Sequence, residues 1–135
     1  PIANVLKILA SRHVMVVHSE DGLDEFSIAK KTYVAELKDN NISTYTVHPN
    51  DFGLNKGDLN TLKAENADES LAMIRDAFSG NTGAPRDIIA LNSGAAIYVS
   101  GLADSLDNGI QKACQVLSDG SAQDKLDAYI LASNN

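Results

Sequence analysis

The chain is short of the residues that several functional classes require. One cysteine, Cys114, in 135 residues leaves no internal disulfide and no Cys-based zinc site, so a reducing cytoplasm is the expected compartment. Basic residues are outnumbered: 11 Lys and Arg against 18 Asp and Glu give a net charge of −7. A nucleic-acid or anionic-membrane surface needs clustered Lys and Arg, so neither partner is expected. An anionic substrate would instead need a metal as mediator. No apolar run reaches the roughly 18 residues of a membrane span. Residues 2–10 lack the basic start, long apolar centre and cleavage pattern of a signal peptide. The spacing of the histidines and Cys114 does not support zinc, and no Ser/His/Asp or Cys/His constellation can be argued. Internal repeats, low-complexity tracts and long linkers are also missing, which points to a single α/β unit over residues 1–135.

What the chain does have is ordinary globular composition, 44% hydrophobic and 21% charged, with one unusual juxtaposition. The apolar run Val14-Met15-Val16-Val17 leads directly into His18-Ser19-Glu20-Asp21-Gly22-Leu23-Asp24-Glu25, where four carboxylates crowd into six residues. Such a run reads as a strand buried on both faces, and in open α/β sheets ligands bind beyond the carboxyl ends of strands. Oxygen ligands on a Gly-containing turn suit a hard cation such as Mg²⁺, with substrate phosphates and water completing the shell. Charge alone favours a solvated acidic turn, since carboxylates are mostly exposed.

Periodicity places the remaining elements. Val5, Leu6, Ile8 and Leu9 form a short helical patch, read as the tail of a helix that begins before Pro1. Tyr33, Ala35 and Leu37 alternate on one face of a strand over residues 32–38. After Asp39-Asn40-Asn41 a second strand runs over residues 42–48, with Tyr45 and Val47 inward and Thr44 and Thr46 outward, so a hairpin is predicted. Asn66 with Glu69 marks a helix start and Gly80 its stop. A helix opening at Pro85 carries the small segment Asn92-Ser93-Gly94-Ala95-Ala96, which predicts close packing against the sheet; Gly94 in a helix interior calls for a packing role. Further helices are predicted from Leu106 to Leu117, with Cys114 as a packed thiol, and from Ser121 through Leu126 and Ile130. Ser79-Gly80-Asn81-Thr82-Gly83 lacks the preceding strand of a phosphate loop and reads as a connection.

The segment Asp21-Gly22-Leu23-Asp24-Glu25-Phe26-Ser27, following a Val-rich strand that ends in His18, resembles the second metal-binding segment of anthranilate phosphoribosyltransferases. Val34-Ala35-Glu36-Leu37 resembles that family's first hairpin strand, and Pro49-Asn50-Asp51-Phe52-Gly53-Leu54 its Phe-Gly-Leu turn. Arg86-Asp87, Leu91-Asn92, Tyr98-Val99 and Ala103-Asp104-Ser105-Leu106 are similar to its late helix and the turn after it. The likeness spans the chain but corresponds only to the C-terminal part of the family's sequence. The Gly-Thr-Gly-Gly-Asp diphosphate loop, the Lys-His-Gly-Asn-Arg segment and the upstream Arg associated with anthranilate do not occur in these residues.

The resemblance implies an α/β fold with a central sheet, an antiparallel hairpin and flanking helices, part of a nucleoside phosphorylase/phosphoribosyltransferase-like C-terminal domain. It further implies transfer of a phosphoribosyl group from phosphoribosyl pyrophosphate to anthranilate in tryptophan biosynthesis. Asp24 and Glu25 would be the carboxylate ligands, with two Mg²⁺ ions expected alongside the bound substrate. The intact enzyme would be a homodimer through an N-terminal helical region outside this chain, and these residues alone would be inactive. Glu20 and Asp21 are read as supporting charge or solvated groups, and Arg86 as locally paired. His18 is read as a hydrogen-bonded structural residue or one pointing into the site, and His13 and His48 as strand-edge residues. The rival readings are a non-catalytic nucleic-acid-binding relative on the same scaffold, and a pyrimidine nucleoside phosphorylase-like enzyme.

Overall fold

Alternation and turn chemistry account for the sheet. The structure, a computed structural model, describes residues 1–54 and 57–134. Strands β1 (His13–Ser19), β2 (Thr32–Lys38) and β3 (Asn41–Val47) form a three-stranded antiparallel sheet in the order β1-β2-β3. Asp39 and Asn40 join β2 to β3 with φ of 48° and 62°. This left-handed pair matches strand twist in a two-residue hairpin and suits Asp and Asn. The register that follows pairs Val34 with Tyr45, Glu36 with Ser43 and Thr32 with Val47. These residues, with Met15 and Val17 of β1, share one face, and Val34 and Val47 are buried in the core. Tyr45 and Val47 therefore point inward as predicted. Tyr33, Ala35 and Leu37 lie on the opposite face, where the helix α1 (Ile2–Ile8) packs against β1 and β2 near the fully buried Leu37.

One expectation is corrected. The Val14-Met15-Val16-Val17 run is half-buried rather than buried on both faces. Among the described residues β1 pairs with β2 alone, and β2 lies between β1 and β3. An apolar run reports an environment poor in water without specifying which neighbour supplies it.

The helices cover the Val34 face. Asn66 caps α2 (Ala67–Phe78), accepting from the Glu69 N–H at 2.9 Å, and Gly80 closes it at φ 85°. Helix α3 (Ala84–Val99) begins one residue before Pro85; Ser105 caps α4 (Leu106–Ser118), and Gly120 precedes α5 (Ser121–Ser133). Leu91 and Ala95 of α3 and Ile110 of α4 join Phe26, Ile28, Val34, Val47 and Leu54 in the core, with Cys114 packed against it. The small segment of α3 does serve close packing, but Gly94 faces α4 rather than the sheet. A Cβ at Gly94 would lie 2.5 Å from Ile110 Cα, and one at Gly109 would collide with the Gly94 carbonyl oxygen. Predicted anchors Leu126 and Ile130 are only half-buried, and α5 buries no residue fully.

Candidate functional site

The connection between β1 and β2, residues 20–31, is built as a fastened platform. The Glu20 N–H donates to the Lys31 carbonyl at 3.0 Å, which closes its base. Asp21 accepts from the hydroxyls of Ser19 and, at 2.6 Å, Ser27. Both serines are buried, so the charge satisfies donors that would otherwise be stranded away from water. The Ser27 hydroxyl oxygen in turn accepts from the Ala29 N–H at 2.9 Å, and the Ser27 N–H donates to Thr32 Oγ1 at 3.1 Å. Phe26, Ser27 and Ile28 are sunk into the protein, and the Gly57 N–H donates to the Ile28 carbonyl at 2.9 Å. Asp21 is thus a loop fastener. Glu20 faces Lys31 at 3.8 Å on the surface, which is worth little.

Asp24 and Glu25 stand exposed between these anchors, on bends immediately before Phe26. Together they line one end of a groove of about 300 Å³ between β1 and α3, bounded also by His13, Met15, Asn92 and Ala95. Glu25 additionally borders a cleft between α2 and α3 beside Ile74 and Ile88. Partial burial there, and secondly the adjacent Asp24 charge, push the Glu25 carboxyl above its ordinary value. Two neighbouring carboxylates that repel one another suit a hard cation, which relieves the repulsion. Among the described residues no group of three or more His, Cys, Asp or Glu side chains is placed to hold a metal. Two carboxylates alone leave most oxygen positions of a hard cation to other donors. A wider concavity of about 510 Å³ lies on the open sheet face around Tyr33, Ala35 and Thr44. No Asp, Glu, Lys or Arg lines it.

The family model described as the glycosyl transferase family, a/b domain, matches residues 1–123. The chain belongs to this family. It is 56% identical over its whole length to an anthranilate phosphoribosyltransferase of Ruthia magnifica, and spans 40% of that protein's length. A crystal structure of anthranilate phosphoribosyltransferase from Thermus thermophilus superposes with a TM-score of 0.86 at 32% identity, covering 97% of this chain and 38% of that one. The Saccharomyces cerevisiae enzyme in complex with PRPP and Mg shares the fold, with a TM-score of 0.71 at 24% identity over 85% of this chain and 33% of that one. The expected phosphoribosyltransferase-like α/β fold is confirmed by these family members, and the resemblance read from Asp21-Gly22-Leu23-Asp24-Glu25 is borne out. Among the described residues no helix is long and apolar enough to cross a membrane.

The other polar candidates sort by geometry. His18 is exposed and, by strand alternation, lies with Tyr33 on the face away from α3. Arg86 is paired as expected: it donates to the Cys114 carbonyl at 3.4 Å and Ser118 Oγ at 3.2 Å, and lies 3.7 Å from Asp87. Burial raises the Asp87 carboxyl, opposed by the Arg86 charge. Residues 79–83 form the α2–α3 connection, as predicted.

Sequence reasoning missed a buried polar cluster at the far end of the groove. Glu36 is 7% exposed. It accepts from His13 Nε2 and from the Tyr45 hydroxyl, each at 2.8 Å, while Lys38 donates to the Tyr98 hydroxyl at 3.2 Å. His13 is therefore a packed hydrogen-bonding residue, edge-on to Tyr98 with centroids 4.6 Å apart. The available signal was the hairpin register, which puts Glu36 on the same face as the inward Tyr45. Burial works to raise the Glu36 carboxyl, but hydrogen bonds from Tyr45, Tyr98 and His13 outweigh it and hold the group below its ordinary 4.5. Burial and the bond to Glu36 push both Tyr45 and Tyr98 upward from 10.0.

The signs give a two-sided prediction. A depressed carboxyl contributes stability that is present above pH 4.5 and is lost as pH falls through the lower folded value. Raised tyrosines contribute stability that is present below pH 10.0 and is lost as pH rises through their folded values. Thermal melts across pH should show a plateau between these limits, and Glu36→Gln should flatten the acid limb selectively. Parallel acid limbs in the wild type and Glu36→Gln would count against this account.

Proposed function

We propose that these residues are the C-terminal part of an anthranilate phosphoribosyltransferase, working in the cytoplasm. The intact enzyme would transfer the phosphoribosyl group of phosphoribosyl pyrophosphate to the amine of anthranilate, releasing pyrophosphate. The observation that carries this reading is the fastened loop that presents Asp24 and Glu25 side by side beyond β1, in a chain whose relative at 56% identity bears that name. The PRPP and Mg in the yeast complex support Mg²⁺ as the ion.

In this reading Asp24 and Glu25 hold Mg²⁺, with two ions when phosphoribosyl pyrophosphate is bound. The ions supply charge neutralisation as negative charge grows on the departing pyrophosphate. The chain's own residues orient and hold: Ser19, Asp21 and Ser27 set the loop's shape, and the Glu25 carboxylate is destabilised by its surroundings so that a cation is favoured there. Transfer to an amine needs no protein nucleophile, which agrees with the packed Cys114 and with the histidine placements. The intact enzyme is proposed to be a homodimer through its N-terminal region.

The decisive assay follows N-(5-phosphoribosyl)anthranilate formation by the full-length protein and by purified residues 1–135. The full-length protein should turn over in a Mg²⁺-dependent manner and the shorter chain should show none, because the diphosphate loop is not among its residues. Appreciable turnover by residues 1–135 would refute the idea that these residues carry only part of the site. A full-length protein inert toward anthranilate would refute the activity.

A further inference from the structure

The loop residue that follows Glu25 is gripped by a side chain 66 positions away. Asn92 Oδ1 accepts from the Phe26 N–H at 2.9 Å, and its Nδ2 donates to the Phe26 carbonyl at 3.1 Å. The same Nδ2 donates at 3.0 Å to the Ile88 carbonyl, one turn back on α3, which fixes the amide's orientation. One side chain thus satisfies both backbone polar groups of a residue that is only 3% exposed. The Asp21 bonds shape the loop from within, the Ser19 N–H holds the Leu23 carbonyl on the Asp24 side at 3.0 Å, and Asn92 is the tie on the Glu25 side, which refers the carboxylates to α3. Since φ and ψ at Phe26 and the Glu25–Phe26 peptide set where the Glu25 side chain points, a loosened grip would let the two carboxylates drift from a common ion.

We propose that Asn92 is a positioning residue that holds Asp24 and Glu25 in metal-binding geometry. The proposal rests on the reading of those two carboxylates as Mg²⁺ ligands. The chemistry is specific to asparagine. Aspartate would accept from the Phe26 N–H but cannot donate to two carbonyls, serine is too short to reach both groups, and glutamine carries the same amide one methylene too far. Groups that support metal ligands matter on a scale of roughly 10- to 100-fold in metal affinity or activity.

The test titrates Mg²⁺ against the thermal midpoint of the full-length protein at fixed pyrophosphate, for wild type, Asn92→Ala, Asn92→Gln and Glu25→Gln. Mg²⁺-dependent initial rates are measured in parallel. Asn92→Ala and Asn92→Gln are expected to raise the Mg²⁺ concentration at half-effect by about tenfold in both readouts, with added Mg²⁺ recovering most of the lost rate. Glu25→Gln should raise it too. If Asn92→Ala gives no folded protein, Asn92→Gln alone carries the comparison. A lower melting temperature with an unmoved Mg²⁺ half-effect in the Asn92 variants, while Glu25→Gln shifts it, would reduce Asn92 to a structural role and overturn the proposal. An unmoved half-effect in Glu25→Gln would overturn the metal assignment and the proposal with it.

Discussion

Asp24→Asn and Glu25→Gln in the full-length protein are each expected to lower turnover by about 10²- to 10³-fold, equivalent to ~3–4 kcal/mol of lost transition-state stabilisation. Both replacements keep the shape of the side chain and remove the charge that a hard cation requires. Both positions are exposed, so folding stability should stay within about 0.5 kcal/mol of wild type. Glu25→Gln has a further sign attached. Its carboxyl is pushed upward by partial burial and by Asp24, so its charge is less favoured in the fold than in the unfolded chain and its removal should not cost folding stability. Loss of activity without loss of melting temperature therefore separates metal binding from architecture. Wild-type activity in both variants at limiting Mg²⁺ would dispose of the assignment.

Gly94→Val and Gly109→Val should be the most destabilising single changes. At Gly94 a new Cβ would meet the backbone of Ile110 at 2.5 Å, and at Gly109 it would meet the backbone oxygen of Gly94. Neither obstacle can rotate away as a side chain would. The helices must separate, and with them Leu91, Ala95 and Ile110 of the core. Overpacking ordinarily costs about 1–3 kcal/mol, and a backbone obstacle places these variants at or beyond the upper figure. That is a large share of the roughly 5–15 kcal/mol that separates folded from unfolded domains. Urea unfolding should show the loss directly, with exposed Ser93→Ala on the same helix as the control. Midpoints for Gly94→Val and Gly109→Val equal to that of the control would show that the helices have room to spare.

What was legible in the sequence was local. The Asp39-Asn40 turn and the alternation on either side of it place the hairpin and its inward residues, because a two-residue left-handed turn leaves one register available. Asn66 and the glycines at 80 and 120 mark helix ends through short-range hydrogen bonds and left-handed backbone. The pairing partner of β1 was not legible, because hydrophobicity records burial and carries no information on which strand lies alongside. Nor was the Gly94 contact: small residues predict close approach, but the approaching element is chosen by how the chain returns.

The division runs through the acidic loop itself. The family resemblance singles out Asp24 and Glu25 from four neighbouring carboxylates as the proposed ligands, because the family pattern is written in consecutive residues. The structure decided what the other two do, turning Asp21 into the fastener of Ser19 and Ser27 and leaving Glu20 at the surface. It also brought in Asn92 and assembled Glu36 with His13, Tyr45 and Tyr98. Asn92 and Tyr98 reach their partners through the packing of α3 against the sheet, driven by burial of apolar side chains on both, whereas His13 and Tyr45 reach Glu36 through the pairing of β1 and β3 with β2.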